Sequence, residues 1–137
     1  MVRFKIFNPG RKLTDDINDN SIVMKLEYNS FSCLFTGDIS KQIEQDLAKK
    51  YGKKLKATIL KVAHHGSKTS SDANFIKLVN PKISLIGVGK NNKFGHPNEK
   101  VLKGLKDINS KIFRTDENGE IVLKINMKRK YKNKYIY

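Results

Sequence analysis

The chain of 137 residues lacks most of what would staple or anchor it. Its one cysteine, Cys33, excludes an intrachain disulfide and a Cys-rich zinc finger. The place of Cys33 in the apolar run FSCLF marks it as a buried structural thiol, and the redox compartment stays open. No apolar stretch approaches the roughly 18 residues that a membrane span needs. No apolar segment follows a basic start either, because Met1 to Phe7 alternates apolar and polar residues, so no secretory signal is visible. The expectation is a soluble, cytoplasmic chain, or the soluble domain of a membrane-associated protein, with no transmembrane segment of its own. Repeats, low-complexity tracts and Gly/Ser/Pro-rich linkers are missing too. With roughly 100 to 200 residues as the usual domain size, the length predicts one unit around one core.

Acidic residues are scarce: 13 Asp plus Glu stand against 28 Lys plus Arg, a net charge of +15. Such an excess attracts polyanions through counterion release, and DNA, held by its phosphates without reading of its sequence, is the first expected partner. The positives are 24 Lys and 4 Arg in a chain rich in Asn and Ile, so genome-wide base composition is the competing source of the charge. The stretch from Lys124 to Tyr137 holds six Lys or Arg and no acid, interleaved with Tyr131, Tyr135 and Tyr137. That composition suits phosphate contacts and base stacking, and equally a solvated chain end. Residues 127–137 are set apart as a basic Tyr/Lys tail.

Periodicity predicts an α/β fold. Val2, Phe4 and Ile6 alternate with charged residues up to Asn8-Pro9-Gly10, the pattern of a half-buried strand closed by a turn. Ser21 to Glu27 and Ser30 to Phe35 form a predicted hairpin about Tyr28-Asn29. Ile43, Leu47 and Tyr51 recur at four-residue steps between Ser40 as N-cap and Gly52 as stop, which predicts a helix over 40–51. Ala57 to Val62 reads as a strand, and a helix from about Ser71 to Val79 ends at Asn80-Pro81. Ile83 to Val88 is apolar enough to predict a strand buried on both faces. A third helix is expected over Pro97 to Leu105, with Pro97 in its first turn. Strands at Lys111 to Arg114 and Glu120 to Ile125 are joined through Asp116-Glu117-Asn118-Gly119.

All three histidines lie at strand-to-loop junctions, His64 and His65 in VAHHGS and His96 in FGHP. Functional groups gather at strand ends, and an adjacent pair followed by Gly66 and Ser67 is an unusual choice for packing. Asp38 stands at the end of SFSCLF, well placed for a cation or a proton. One Asp with a few His is a donor set for Zn²⁺ or Mn²⁺, whereas Ca²⁺ would call for more oxygens.

The order of Asn18 to Asp38 (ending FTGD), LKVAHHGSKTSS, Asn80-Pro81, NKFGHP and Arg114 to Ile121 resembles the metallo-β-lactamase-fold hydrolases. It is most similar to the metallo-β-lactamase-like domain of the ComEC-type competence family, which serves DNA uptake. The resemblance covers 1–126, nearly everything before the basic tail. It implies the C-terminal half of an αββα sandwich. It implies that Asp38 bridges two metal ions and that His64 binds the second, with His65 as the alternative ligand or a catalytic group. By the same resemblance His96 contacts a substrate phosphate or protonates a leaving group. Ser67, Lys68 and Thr69 would donate to phosphate oxygens or shape the loop.

One departure is large. The family's main metal motif, H-x-H-x-D-H, has no counterpart in this chain. Catalytic zinc sites usually take three protein ligands, so a dinuclear Zn or Mn site cannot be completed from Asp38 and His64. The resemblance implies a metal-dependent phosphodiesterase, a nuclease acting on DNA, incomplete or inactive as this chain alone. The missing N-terminal half of the domain is then an expected partner. The rival expectations are a non-catalytic half-domain that binds nucleic acid or a partner, and a small-molecule phosphoesterase of the same fold.

Overall fold

The computed structural model describes residues 1–125 as a mixed α/β domain. The basic tail, 127–137, lies outside the described residues. Six strands form one sheet in sequence order: β1 (Val2–Asn8), β2 (Val23–Tyr28), β3 (Phe31–Phe35), β4 (Ile59–Lys61), β5 (Ile83–Ile86) and β6 (Lys111–Arg114). β1, β2 and β3 pair antiparallel, and β3 to β6 pair parallel. Parallel neighbours need a crossover. The chain makes three, through α1 (Lys41–Tyr51), α2 (Ala73–Val79) and α3 (Glu99–Asp107).

The three crossover helices share one core with one face of the sheet. Leu47 and Ala48 of α1, Phe75, Ile76 and Val79 of α2, and Val101 and Leu105 of α3 meet Val23, Leu34, Leu60 and Ile86 of the strands. Alternation puts the neighbouring strand residues on the opposite face. There the register aligns Ile6, Met24, Phe35, Lys61, Leu85 and Phe113 in one row, with Phe4, Leu26, Cys33, Ile59 and Ile83 in the next. Among the described residues no helix of the crossover layer covers this second face. It is nonetheless apolar apart from Lys61 and, at the β6 edge, Lys111.

That one-sided packing corrects two expectations. β5 is not buried on both faces, since Ile83 and Leu85 are half-buried while Ser84 and Ile86 are buried. In β1 the alternating Val2, Phe4 and Ile6 are 52%, 59% and 57% exposed, and the buried residues are Phe7 and Asn8. A register shift between Ile6 and Asn8 turns Phe7 onto Tyr51 at the helix layer.

Local chemistry moved several boundaries. The β2–β3 turn centres on Asn29-Ser30 because Tyr28 pairs with Phe31, and Asn29 takes the left-handed conformation. Gly52 ends α1 as expected, with its N–H on the Ala48 carbonyl. Ser40 occupies the N-cap position but its hydroxyl makes no cap bond. α2 starts at Ala73 because the Asp72 carboxylate accepts from the N–H of Asn74 and Phe75. α3 starts at Glu99, capped by Asn98, so Pro97 precedes the helix instead of sitting in its first turn. The expected strand Glu120–Ile125 is absent from the described structure, and the turn before it is a short helix, α4 (Thr115–Asn118). Arg114 pairs with Asp116 and Glu117, and Asn118 accepts the Arg114 N–H. These bonds wind the segment locally and take it out of hairpin geometry.

Candidate functional site

The parallel strands β3, β4 and β5 end on one edge of the sheet, where the turns after them carry Asp38, the His64–His65 pair and, further along, His96. Open α/β sheets bind ligands at this carboxyl edge. The turn after β3 is held by Ser21, whose hydroxyl accepts the Asp38 N–H at 3.1 Å. Gly37 has φ +55°, and an added Cβ there would lie 2.6 Å from the Ser21 Cβ. The Gly37 carbonyl in turn accepts the His64 N–H at 3.0 Å, which ties the Asp38 turn to the histidine turn.

His64, His65 and Gly66 form a tight turn in which all three have positive φ, 48°, 55° and 78°. Two successive non-glycine residues in this region are costly, and such strain collects where a side chain must be aimed. Tertiary bonds hold it. Ser67 N–H donates to the His64 carbonyl at 2.8 Å, Asn98 N–H donates to the Gly66 carbonyl at 2.8 Å, and the Ser70 hydroxyl donates to the Ala63 carbonyl at 3.1 Å. The His65 Nδ1 lies 2.6 Å from the Gly87 carbonyl. A carbonyl only accepts, so Nδ1 carries a proton in this contact and the ring is oriented by it.

His96 comes to the same place from the β5–α3 loop. Its ring centroid lies 6.0 Å from that of His64, which is 6.4 Å from that of His65. Asn92 builds this loop with both ends of its amide, accepting the His96 N–H at 2.9 Å and donating to the His96 carbonyl at 2.8 Å. Exposed Phe94 stacks on the His96 ring at 5.7 Å. Partial burial, then the neighbouring His64 and His65, lowers the His96 pKa below the usual histidine value. Lys61 is also lowered, chiefly by burial, with the Asp38 charge opposing. Its ammonium donates to the Val62 carbonyl at 3.1 Å.

Ser67 is buried, and its hydroxyl lies 2.9 Å from that of Thr69 and accepts the Thr69 N–H, while Lys68 and Thr69 are exposed. Two residues outside the expected set matter here. Asn92 stands within the quoted NKFGHP motif but only the structure shows its role. Glu44 of α1 is 1% exposed and accepts the Asp72 N–H at 2.6 Å, which fastens the loop that follows the histidine pair to α1. Among the described residues no three His, Cys, Asp or Glu side chains converge as a metal-binding group. The donors present therefore do not fit a complete resident ion. No described helix is long and apolar enough to cross a membrane.

No family model matches the chain. It is similar to ComE operon protein 3 of Bacillus subtilis (strain 168), 38% identical over 120 residues that make up 88% of this chain and 15% of that protein. It is 32% identical to Competence protein ComA of Neisseria gonorrhoeae, again over 120 residues, 88% of this chain and 17% of the relative. Recombination protein 2 of Haemophilus influenzae (strain ATCC 51907 / DSM 11121 / KW20 / Rd) is 31% identical over 88% of this chain and 15% of its own length. The chain thus corresponds to less than a fifth of each of these proteins.

Proposed function

We propose that this chain is one half of a metallo-β-lactamase-like domain of the ComEC type that serves DNA uptake, with the phosphodiester backbone of DNA as the substrate of the completed domain. The similarity to a protein named for competence supports the process. The observation that carries the site is the convergence of His64, His65 and His96 at the carboxyl edge of the parallel strands, with Asp38 tied to them through Gly37. The apolar sheet face turned away from the crossover helices supports the sandwich, since Val2, Phe4 and Ile6 stand exposed on it and a second sheet packed there would cover them.

In this reading a divalent ion, Zn²⁺ or Mn²⁺, belongs to the completed domain, with Asp38 and His64 (or His65) as this chain's share of its ligands. Such an ion would supply charge stabilisation at the phosphate. His96 faces the substrate, and Lys68 and Thr69 are accessible to phosphate oxygens. The incomplete donor set favours a second reading for the chain by itself, a binding half-domain without catalysis.

The test is DNA cleavage with Mn²⁺ or Zn²⁺ by residues 1–137, and by the same residues joined to a segment that supplies H-x-H-x-D-H. Negligible cleavage is expected from the first and metal-dependent cleavage from the second, abolished by Asp38→Ala. Robust cleavage by 1–137 that Asp38→Ala removes would overturn the half-site reading. Inactivity of the completed domain, with its fold verified, would leave the binding half-domain in its place.

A further inference from the structure

We propose that the basic cavity between β1, β2 and the C-terminal end of α1 binds one nucleotide unit of a single-stranded nucleic acid. The phosphate would lie on Lys5, Lys53 and Lys54 and the base against Tyr51. The inference rests on the nucleic-acid partner of the proposed function but not on its metal chemistry. The site is separate from the histidine cluster. α1 starts beside that cluster, where its Lys41 N–H donates to the Thr69 carbonyl, and it ends at Tyr51. Eleven helical residues span about 16 Å.

The cavity measures about 580 Å³, within the usual range for small-molecule sites. Four lysines line it, Lys5, Lys25, Lys53 and Lys54, together with Phe7 and Tyr51. Among the described residues the one carboxylate paired with any of them is Glu27, shared by Lys5 at 2.9 Å and Lys25 at 3.2 Å. The hydrogen bond from Lys5 is the largest influence on Glu27 and helps to hold its pKa below the usual value, so it stays ionised, yet one negative charge faces four ammonium groups.

Lys25 is an anchor rather than a ligand. Its side chain is 8% exposed, and its ammonium donates to the Lys54 and Lys56 carbonyls as well as meeting Glu27. By holding the 53–56 turn against the sheet it sets where Lys53 and Lys54 stand. Tyr51 is fixed in turn by its edge-to-face contact with Phe7, ring centroids 4.9 Å apart. The Tyr51 ring, which carries the Lys50 ammonium 5.1 Å from its centroid, stands beside Lys53 and Lys54, and neither of these pairs with a carboxylate among the described residues. A base that displaced Lys50 from the ring would bring its phosphate to them. A duplex keeps its base faces stacked and cannot present one here. An acidic peptide would use the charge but not the ring.

The experiment uses all 137 residues with chelator present and follows a labelled oligothymidylate by fluorescence anisotropy across a salt series. Lys53→Ala/Lys54→Ala should weaken binding and lower the slope of log affinity against log salt by up to about 0.7, the value for one single-strand phosphate contact. Tyr51→Leu should weaken single-strand binding roughly five- to hundredfold and leave duplex binding unchanged, while Tyr51→Phe, which keeps a stacking ring, should bind close to wild type. The proposal is overturned if the folded Tyr51→Leu chain binds oligothymidylate like wild type. It is also overturned if Lys100→Ala/Lys106→Ala on α3 flattens the slope as much, or if polyglutamate binds as tightly as the oligonucleotide. In each of those cases the nucleic-acid reading can stand without this site. No binding by the wild type at low salt would instead remove the nucleic-acid partner itself.

Discussion

Glu44 holds a carboxylate inside the α1–α2 contact, and burial raises its pKa from 4.5 to about 7 against the lowering effect of the Asp72 and Ser71 N–H groups. An acid whose pKa is raised by folding binds more protons in the folded than in the unfolded state between those two values. Stability from this group is therefore present below about pH 4.5 and lost as pH rises towards 7, at up to about 1.4 kcal/mol per unit. Glu44→Gln removes that titration and keeps an acceptor for the Asp72 N–H. Denaturant unfolding at pH 5, 6, 7 and 8 should show wild type gaining on Glu44→Gln as pH falls, and parallel profiles would refute the assignment. The histidine pair was legible as a candidate site because two adjacent imidazoles after an apolar strand have little packing value. Glu44 was not legible. It sits among Gln45, Asp46 and flanking lysines of an amphipathic helix, and only the docking of α2 makes its position an interior one.

At the scale of the element, the turn after β4 is held from outside by the segment that leads into α3. Gly66 has φ +78°, and a Cβ there would lie 2.6 Å from Pro97 Cβ and 3.2 Å from Pro97 Cα. Gly66→Ala therefore adds both backbone strain and a clash with the segment that carries His96. The expected cost is about 1 to 3 kcal/mol by chemical denaturation, with the imidazole resonances of His64 and His96 shifting together. Unchanged stability and unperturbed His96 would show that the two loops are not packed as described. The three crossover helices were readable from their apolar spacing and stop residues. The start of α1 was readable too, since Ser40 holds the N-cap position, but those of α2 and α3 were not, because the caps that operate there are Asp72 and Asn98 rather than the residues that periodicity favours. The 115–118 turn was misread as part of a hairpin, since Arg114 has acidic partners two and three residues on that wind it into α4.

Across the whole molecule the charge of +15 predicts binding to DNA that weakens steeply with salt. Deleting Lys128 to Tyr137 removes Lys128, Arg129, Lys130, Lys132 and Lys134 and should flatten the salt slope, by about 0.9 for each duplex phosphate lost or roughly 0.7 for each single-strand one. An unchanged slope in a filter-binding or anisotropy series would place the phosphate contacts on the body of the domain. Salt-independent binding would point to base composition as the source of the lysines. The sequence by itself determined the α/β class, the helix-sheet alternation from β3 to β6, the buried thiol of Cys33 and the residues worth testing as a site. Each of those follows from local periodicity, turn chemistry or residue type, which neighbouring residues decide among themselves. Only the tertiary structure decided that the helices share one face of the sheet, that Val2, Phe4 and Ile6 stand on the face they leave, and that His96 meets His64. Alternation marks a strand as two-faced but does not say which face a distant element will cover, and loops far apart in sequence meet only once the parallel register brings their strand ends to one edge.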